Sequence, residues 1–352
     1  MKVLKRNKIN IKTDTGLSHC CGGSLIIFLL MGEYNIGDNM KIIRIDSSVE
    51  EVKEDDIDLS GGILYWFHLC PGELKRISTS YFGFQEETIE ECKNKSQFAK
   101  VDFYEEYTFL VLNALNYENG TVYLDEFNIY LTRNSVITVS KKECTIISQL
   151  QQFLMDDVGA FILKDRNPAR LLYCILDRLV QSDYEIINKL ENAADALEIH
   201  IIKKPDKQFL SALIHLRHQV HTLRRGITPL RYIGDNLMCN DNRIIDKDQV
   251  KYIKQLNVKI DKLMFSMESL VQYIVLVREA FETEMANKTN DFMKLFTAVS
   301  LFFGSISLVV QMFGMFFVCP RYDLKYGFIG MIGLLLLISA AMFIFFKKKE
   351  WF

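Results

Sequence analysis

Near the C-terminus, Asn290, Met293, Thr297, Ser300, Gly304, Ser307, Gln311 and Gly314 recur at alternating steps of three and four residues. Steps averaging 3.5 place them on one line along a supercoiled helix. Apart from Met293 they are small or polar, and from Thr297 onward they stand where no side chain is charged. A stripe of this kind has two uses: it lets helices approach closely, or it faces water in a pore. Gln311 favours the second use, because a long amide deep in apolar surroundings needs a polar partner or water. Just before the stripe come Glu279, Glu282, Glu284 and Asp291. On a lone helix these form an ordinary solvated face. Repeated around an axis by several copies, they form rings that concentrate cations at a pore mouth. Glu279 is the preferred member of such a ring, because it continues the line of Asn290 and Met293.

Other residues with catalytic or metal-binding chemistry do not converge. His215, His218 and His221 share a helical face, with His200 upstream, but no carboxylate or cysteine stands among them. Solvated surface or helix contact is favoured over zinc there. Eight cysteines are scattered without CxxC spacing, a pattern of reduced thiols rather than a disulfide framework. No GxSxG, HExxH or phosphate-binding glycine loop occurs, so neither an enzyme nor a resident cofactor is expected. With 42 basic against 44 acidic side chains, nothing points to nucleic acid as a partner.

The elements that must carry the stripe follow from hydrophobic period. A first apolar span covers residues 295–318, an outer loop 319–326, a second span 327–346 and a basic tail 347–352. About 20 residues cross a bilayer as a helix, so the pair makes a membrane hairpin in contact with lipid. A stalk helix over 246–294 meets no proline before Pro320. It therefore runs into the first span as a rod on the order of 110 Å, and rods of that length need partner helices. Residues 144–245 read as paired helices. The first starts at Pro168, behind Asn167 as N-cap; Gly226 and Pro229 are expected to kink or divide the second. Residues 40–143 hold short β-branched and aromatic segments, the turn Glu118-Asn119-Gly120, and helical spacing between Pro71 and Lys95. That combination indicates a mixed α/β domain. Residues 1–39 read as an irregular leader, whose apolar run from Leu25 to Met31 is at the lower limit for a signal peptide. Lys347, Lys348 and Lys349 place the C-terminus in the cytosol, and two spans return the chain to that side. The expectation is a multi-pass protein of the cell (plasma) membrane with both termini cytosolic.

NKTNDFMKLFT at the entrance of the first span, FGM at its end and the tail FKKKEWF resemble the CorA family of divalent cation (magnesium) transporters, of the two-span Gly-x-Asn type. LLYCILDRLV, TLRRGITPLR, FGFQEETIEEC and AKVDFYEEYTFLVL support the resemblance, which extends over residues 40–352. It implies an α+β membrane protein with a cytosolic mixed α/β domain and a long stalk helix continuing into the first of two C-terminal transmembrane helices. Five copies would form a homopentameric funnel around the pore. Asn290 and Met293 would lie at the cytosolic entrance, Thr297, Ser300, Gly304, Ser307 and Gln311 along the lining, and Glu279 at an acidic stalk position. Glu91 would match an acid that helps hold a regulatory magnesium between subunits, with Gln255 where its partner acid would be. The selectivity motif departs from the family: Gly314 and Met315 are followed by Phe316 in place of asparagine. Hydrated magnesium is held through its water shell, which amides can hydrogen-bond and phenyl rings cannot. The outer loop carries Arg321 where the family has an acid. The implied function is passive movement of Mg2+, with Co2+, Ni2+ or Zn2+ as further candidates, through a homopentameric pore. The alternative is a non-conducting homologue acting as a membrane-anchored regulatory or assembly subunit.

Overall fold

The computed structural model describes residues 40–46, 48–59, 62–94, 98–155, 166–203, 206, 208–317 and 324–348. The leader expected over 1–39, most of the outer loop and the end of the tail lie outside them. Strands β1 (Lys41–Ile45), β2 (Val49–Glu51), β3 (Leu64–Leu69), β4 (Lys100–Phe103), β5 (Thr108–Glu118), β6 (Thr121–Leu131) and β7 (Ser135–Ser140) form one sheet, in the order β2-β1-β3-β7-β6-β5-β4. Neighbours are antiparallel except β3 and β7, which run parallel. The long β5–β6 hairpin closes on Asn119 (φ 51°) and Gly120 (φ 79°). Two successive positive φ values match the right-handed twist of the strands, and the Asn-Gly pair reaches them with little strain.

Helices α1 (Pro71–Ile77) and α2 (Glu86–Lys93) cover one face of the sheet over an aromatic core of Tyr65, Phe67, Phe84, Phe109 and Tyr130. On the other face, Trp66, Leu110, Leu112 and Ile129 belong to a second core shared with α3 (Thr145–Met155), α4 (Pro168–Lys203) and α5 (Gln208–Cys239). Burial on both faces explains why Phe109–Leu112 is buried without alternation. Asn167 caps α4 as expected: its Oδ1 accepts a hydrogen bond from the Ala169 N–H at 2.8 Å, with Pro168 in the first turn.

The break expected at Gly226 and Pro229 does not occur, for α5 runs unbroken through both residues. Proline removes one N–H donor from the ladder, a local loss set against a buried face of Leu223, Ile227, Leu230 and Ile233. The glycines serve close approach instead. A Cβ on Gly226 would stand 2.8 Å from Leu124 Cδ2 of β6, and one on Gly234 would stand 2.0 Å from Asn257 Oδ1.

Asn257 belongs to α6 (Val250–Phe317), a helix of 68 residues. In its first half the buried residues are Ile253, Leu256, Ile260, Leu263, Met267, Leu270, Ile274, Val277 and Phe281. They alternate steps of three and four, a heptad seam of the kind that knits coiled coils. Each such side chain contributes about 1.5–3 kcal/mol when taken out of water. The seam packs against α4 and α5, and polar contacts flank it. Lys259 on α6 binds Asp177 on α4 and lies 5.4 Å over the Tyr173 ring, while Tyr273 donates to the α4 carboxylates, with Asp195 at 2.6 Å and Glu198 at 2.8 Å.

Beyond the short loop, α7 (Leu324–Lys348) returns alongside α6, with Ser305 Oγ 3.0 Å from Met342 Sδ. Ala298, Val309 and Phe346 are buried between these helices, and Phe302 and Ser305 are half-buried. Ala298, Phe302, Ser305 and Val309 hold the same heptad phase as Ile253–Phe281, so one line of α6 seats first the soluble helices and then α7.

Gly234→Ala forces the Asn257 side chain off α5. Overpacking of this kind costs about 1–3 kcal/mol, of which the better helix propensity of alanine returns at most about 1. Thermal unfolding of the full chain in detergent should show a lowered Tm, whereas Gly304→Ala, with open space around its Cβ, should not lower it.

Candidate functional site

Roughly 150° around α6 from the buried seam runs a second line of the same period. It begins in the soluble part with Gln255, Val258, Lys262, Phe265, Ser269, Gln272, Leu276, Glu279, Thr283 and Ala286, all exposed. It continues without a change of phase through Asn290, Met293, Thr297, Ser300, Gly304, Ser307, Gln311 and Gly314, all exposed except the half-buried Thr297. Phe265 is 78% exposed and Leu276 59%, a heavy apolar load for a solvated surface. Nothing comes within 4 Å of a Cβ built on Gly304 or Gly314. The stripe therefore has no part in packing α6 on α7, which holds the opposite side of the helix.

Hydroxyls and amides along this line bond locally. The Thr283 hydroxyl donates to the Glu279 carbonyl at 2.8 Å and the Thr297 hydroxyl to the Met293 carbonyl at 2.7 Å; Gln311 Nε2 donates to Ser307 Oγ at 3.0 Å. Ser300, Gly304 and Gly314 leave the line smooth between them. Nearby charges are tied in pairs, Arg278 to Glu282 at 2.9 Å and Lys294 to Asp291 at 2.9 Å. Glu279 enters no ion pair among the described residues, so its charge stands uncompensated on the exposed line. Gly314, Met315 and Phe316 occupy the last turn of α6. In the neck from Thr283 to Met293 only Glu284 and Met285 are half-buried, and the rest are exposed.

Glu91 lies apart from this line, on α2. The Lys100 ammonium stands 3.0 Å from its Oε2 and 2.7 Å from Asp102 Oδ2. Burial pulls the Lys100 pKa down, but hydrogen bonds to Asp102 and Glu91 outweigh it and leave it raised. A cation of the chain itself thus occupies the place that a metal on Glu91 would take, and Glu91 and Glu279 are not brought together. Gln255, expected where the partner acid of a site between subunits would stand, is exposed at the foot of the line. His218 and His221 are exposed, and His215 Nε2 sits 3.2 Å from the Gly120 carbonyl. Among the described residues no group of three or more His, Cys, Asp or Glu side chains converges as a metal centre.

One stretch of α6 within the described residues is long and apolar enough to cross a membrane, and only 11% of it is buried. The core helix of a soluble domain would be mostly buried. A family model described as CorA-like Mg2+ transporter protein matches residues 61–348. The cobalt/magnesium transport protein CorA of Thermotoga maritima is 25% identical over 274 residues, covering 77% of this chain and 78% of its own length. A putative metal ion transporter of Bacillus subtilis is 27% identical over 307 residues, covering 86% and 93%. Among solved structures, the complete CorA magnesium transporter of Methanocaldococcus jannaschii shares the fold with a TM-score of 0.73 at 18% identity, covering 89% of this chain and 98% of its own. The full-length CmaX protein does so with a TM-score of 0.68 at 18% identity, covering 89% and 97%.

If the stripe faces water, cysteines placed at Ser300 and Ser307 should react with a charged, membrane-impermeant thiol reagent in proteoliposomes. Cysteines at Phe303 and Val310, roughly a quarter-turn away, should stay inert. Equal reactivity at all four positions would assign the stripe to packing instead.

Proposed function

The chain belongs to the CorA-like Mg2+ transporter family, and we propose that it carries Mg2+ or a related divalent cation across a membrane through a pore lined by the exposed line of α6. The observation that carries this reading is the doubled seam. One side of α6 is filled within the protomer from Ile253 to Phe281 and again from Ala298 to Val309, while the other keeps the same period and stays exposed. Polar residues facing lipid are costly, and exposed Phe265 and Leu276 facing water are unfavourable, so both halves of the line call for further copies of the same helix. Five copies, as the resemblance implies, turn the line into the wall of an axial path, with α6 and α7 as the two spans and α7 on the outside. The largely exposed neck between Glu282 and Lys294 supports this arrangement, since a helix with little packing is marginal in water.

In such a ring Glu279 is repeated around the axis below the entrance and raises the local concentration of cations. Asn290 offers amides to a hydrated ion at the mouth; above it Thr297, Ser300 and Ser307 supply hydroxyls, with Gly304 leaving width between them. Mg2+ gives up its water reluctantly, so a lining of short polar groups suits passage with the water shell retained. The membrane potential drives a doubly charged ion with about 4.6 kcal/mol per 100 mV, and no chemical step is needed. Lys347 and Lys348 at the end of α7 favour a cytosolic C-terminus, and the paired spans then put the soluble domain on the same side. With Lys100 seated on Glu91 and Asp102, regulation by a metal at Glu91 requires that ammonium to leave first.

Purified protein reconstituted in liposomes with an enclosed metal indicator should admit Mg2+, Co2+, Ni2+ or Zn2+ when the interior is negative. Absence of flux for all four ions under any gradient would refute a conducting role. Phe316→Asn should raise Mg2+ flux over that of the wild type. A silent wild type that gains flux only on this substitution would favour a membrane-anchored regulatory subunit.

A further inference from the structure

Asp183 lies on the buried side of α4, in a run where Leu179, Val180, Ile186 and Ile187 are all at most 3% exposed, and is itself at 0%. Both of its carboxylate oxygens are shut off from solvent, and neither has a hydrogen-bond partner. The elements packed against α4 are α3, α5, α6 and the strands β5, β6 and β7, and their charged groups are engaged elsewhere or exposed. On α4 itself, Asp177 is bound to Lys259 of α6, Arg178 reaches Gln181 and Gln149 of α3, Glu185 is exposed, and Lys189 lies 5.6 Å over the Tyr117 ring of β5. Asp261 of α6 pairs with Arg231 of α5 at 3.5 Å, and Lys262 and Glu268 face solvent. Burial is the sole influence on the Asp183 carboxyl, and it pushes the pKa well above the usual carboxylate range.

An ionised carboxylate with no partner in an apolar core is far more costly than the neutral acid. We propose that Asp183 carries a proton in the folded chain and works as a proton-operated latch, keeping the buried face of α4 packed in the core while neutral and loosening it on ionisation. The device stands apart from the transport reading, for it concerns only the packing of α4 in the core. The direction follows from the raised proton affinity of the folded state. The stabilisation is complete below the unfolded carboxylate value of about 3.9 and is lost as pH rises toward the folded one.

The test uses the full chain in lipid nanodiscs and the variants Asp183→Asn and Asp183→Leu, which cannot ionise there. Thermal unfolding is followed from about pH 5 to about pH 9. The wild-type Tm should fall relative to both variants as pH rises, by at least about 3 °C across the range. In the infrared spectrum at neutral pH, the carbonyl band of a protonated carboxyl should be present in the wild type and absent from both variants. Asp183→Leu, which buries no polar group, sustains the comparison if the asparagine amide prevents folding. Parallel melting curves for wild type and variants, or a carbonyl band unchanged by the substitutions, would overturn the latch.

Discussion

The structure leans on the seam from Ile253 to Phe281, where α6 is gripped by α4 and α5. A 68-residue helix has no means of standing alone in water, and propensity alone does not supply it. A heptad period held on one side fixes the direction of the other side too, because residues in a constant phase cannot wander around the axis. The exposed line is therefore aimed, below and above the neck, by packing that lies on the far side of the helix. The same phase continues through Ala298, Phe302, Ser305 and Val309, so α7 does in the apolar span what the hairpin helices do below it.

The α/β domain is best understood as the anchor of that grip. Its sheet buries both faces, and β5 and β6 bring Leu115 and Leu124 so near Gly226 that a Cβ there would stand 3.1 Å and 2.8 Å from their Cδ2 atoms. Gly226 and Gly234 let α5 settle onto the sheet and α6 at once, so the stalk is held against a rigid layer rather than a flexible pair of helices. On the opposite face, Lys100 ties α2 to the edge strand β4 through Glu91 and Asp102. A structural cation there turns a candidate metal position into a fixed joint.

Much of this was legible from residue order alone. The long stalk helix, the Asn119-Gly120 turn, the Asn167 cap and the exposed stripe each rest on local chemistry or on a period that a linear reading detects. The unbroken course of α5 was not, since the cost of Pro229 is local while the packing that outweighs it comes from the sheet and the stalk. Nor was the reach of the exposed line below Glu279: Val258, Phe265 and Leu276 look like core residues until the buried seam on the other side is known. The engagement of Glu91 by Lys100 depends on β4 lying beside α2, a tertiary fact with no sequence signal. Asp183 sits at a core spacing of α4, but only the structure shows both of its oxygens without partners.

The central claim is that copies of α6 face one another through the exposed line. Distances between nitroxide labels in the assembled protein, measured by pulsed electron resonance with labels at Ser300 and, separately, at Phe303, test it most directly. A shared axis predicts shorter distances between copies from Ser300 than from Phe303, with two distinct distances at each position in a ring of five. Distances from Ser300 equal to or longer than those from Phe303, or no distance between copies at all, would contradict it.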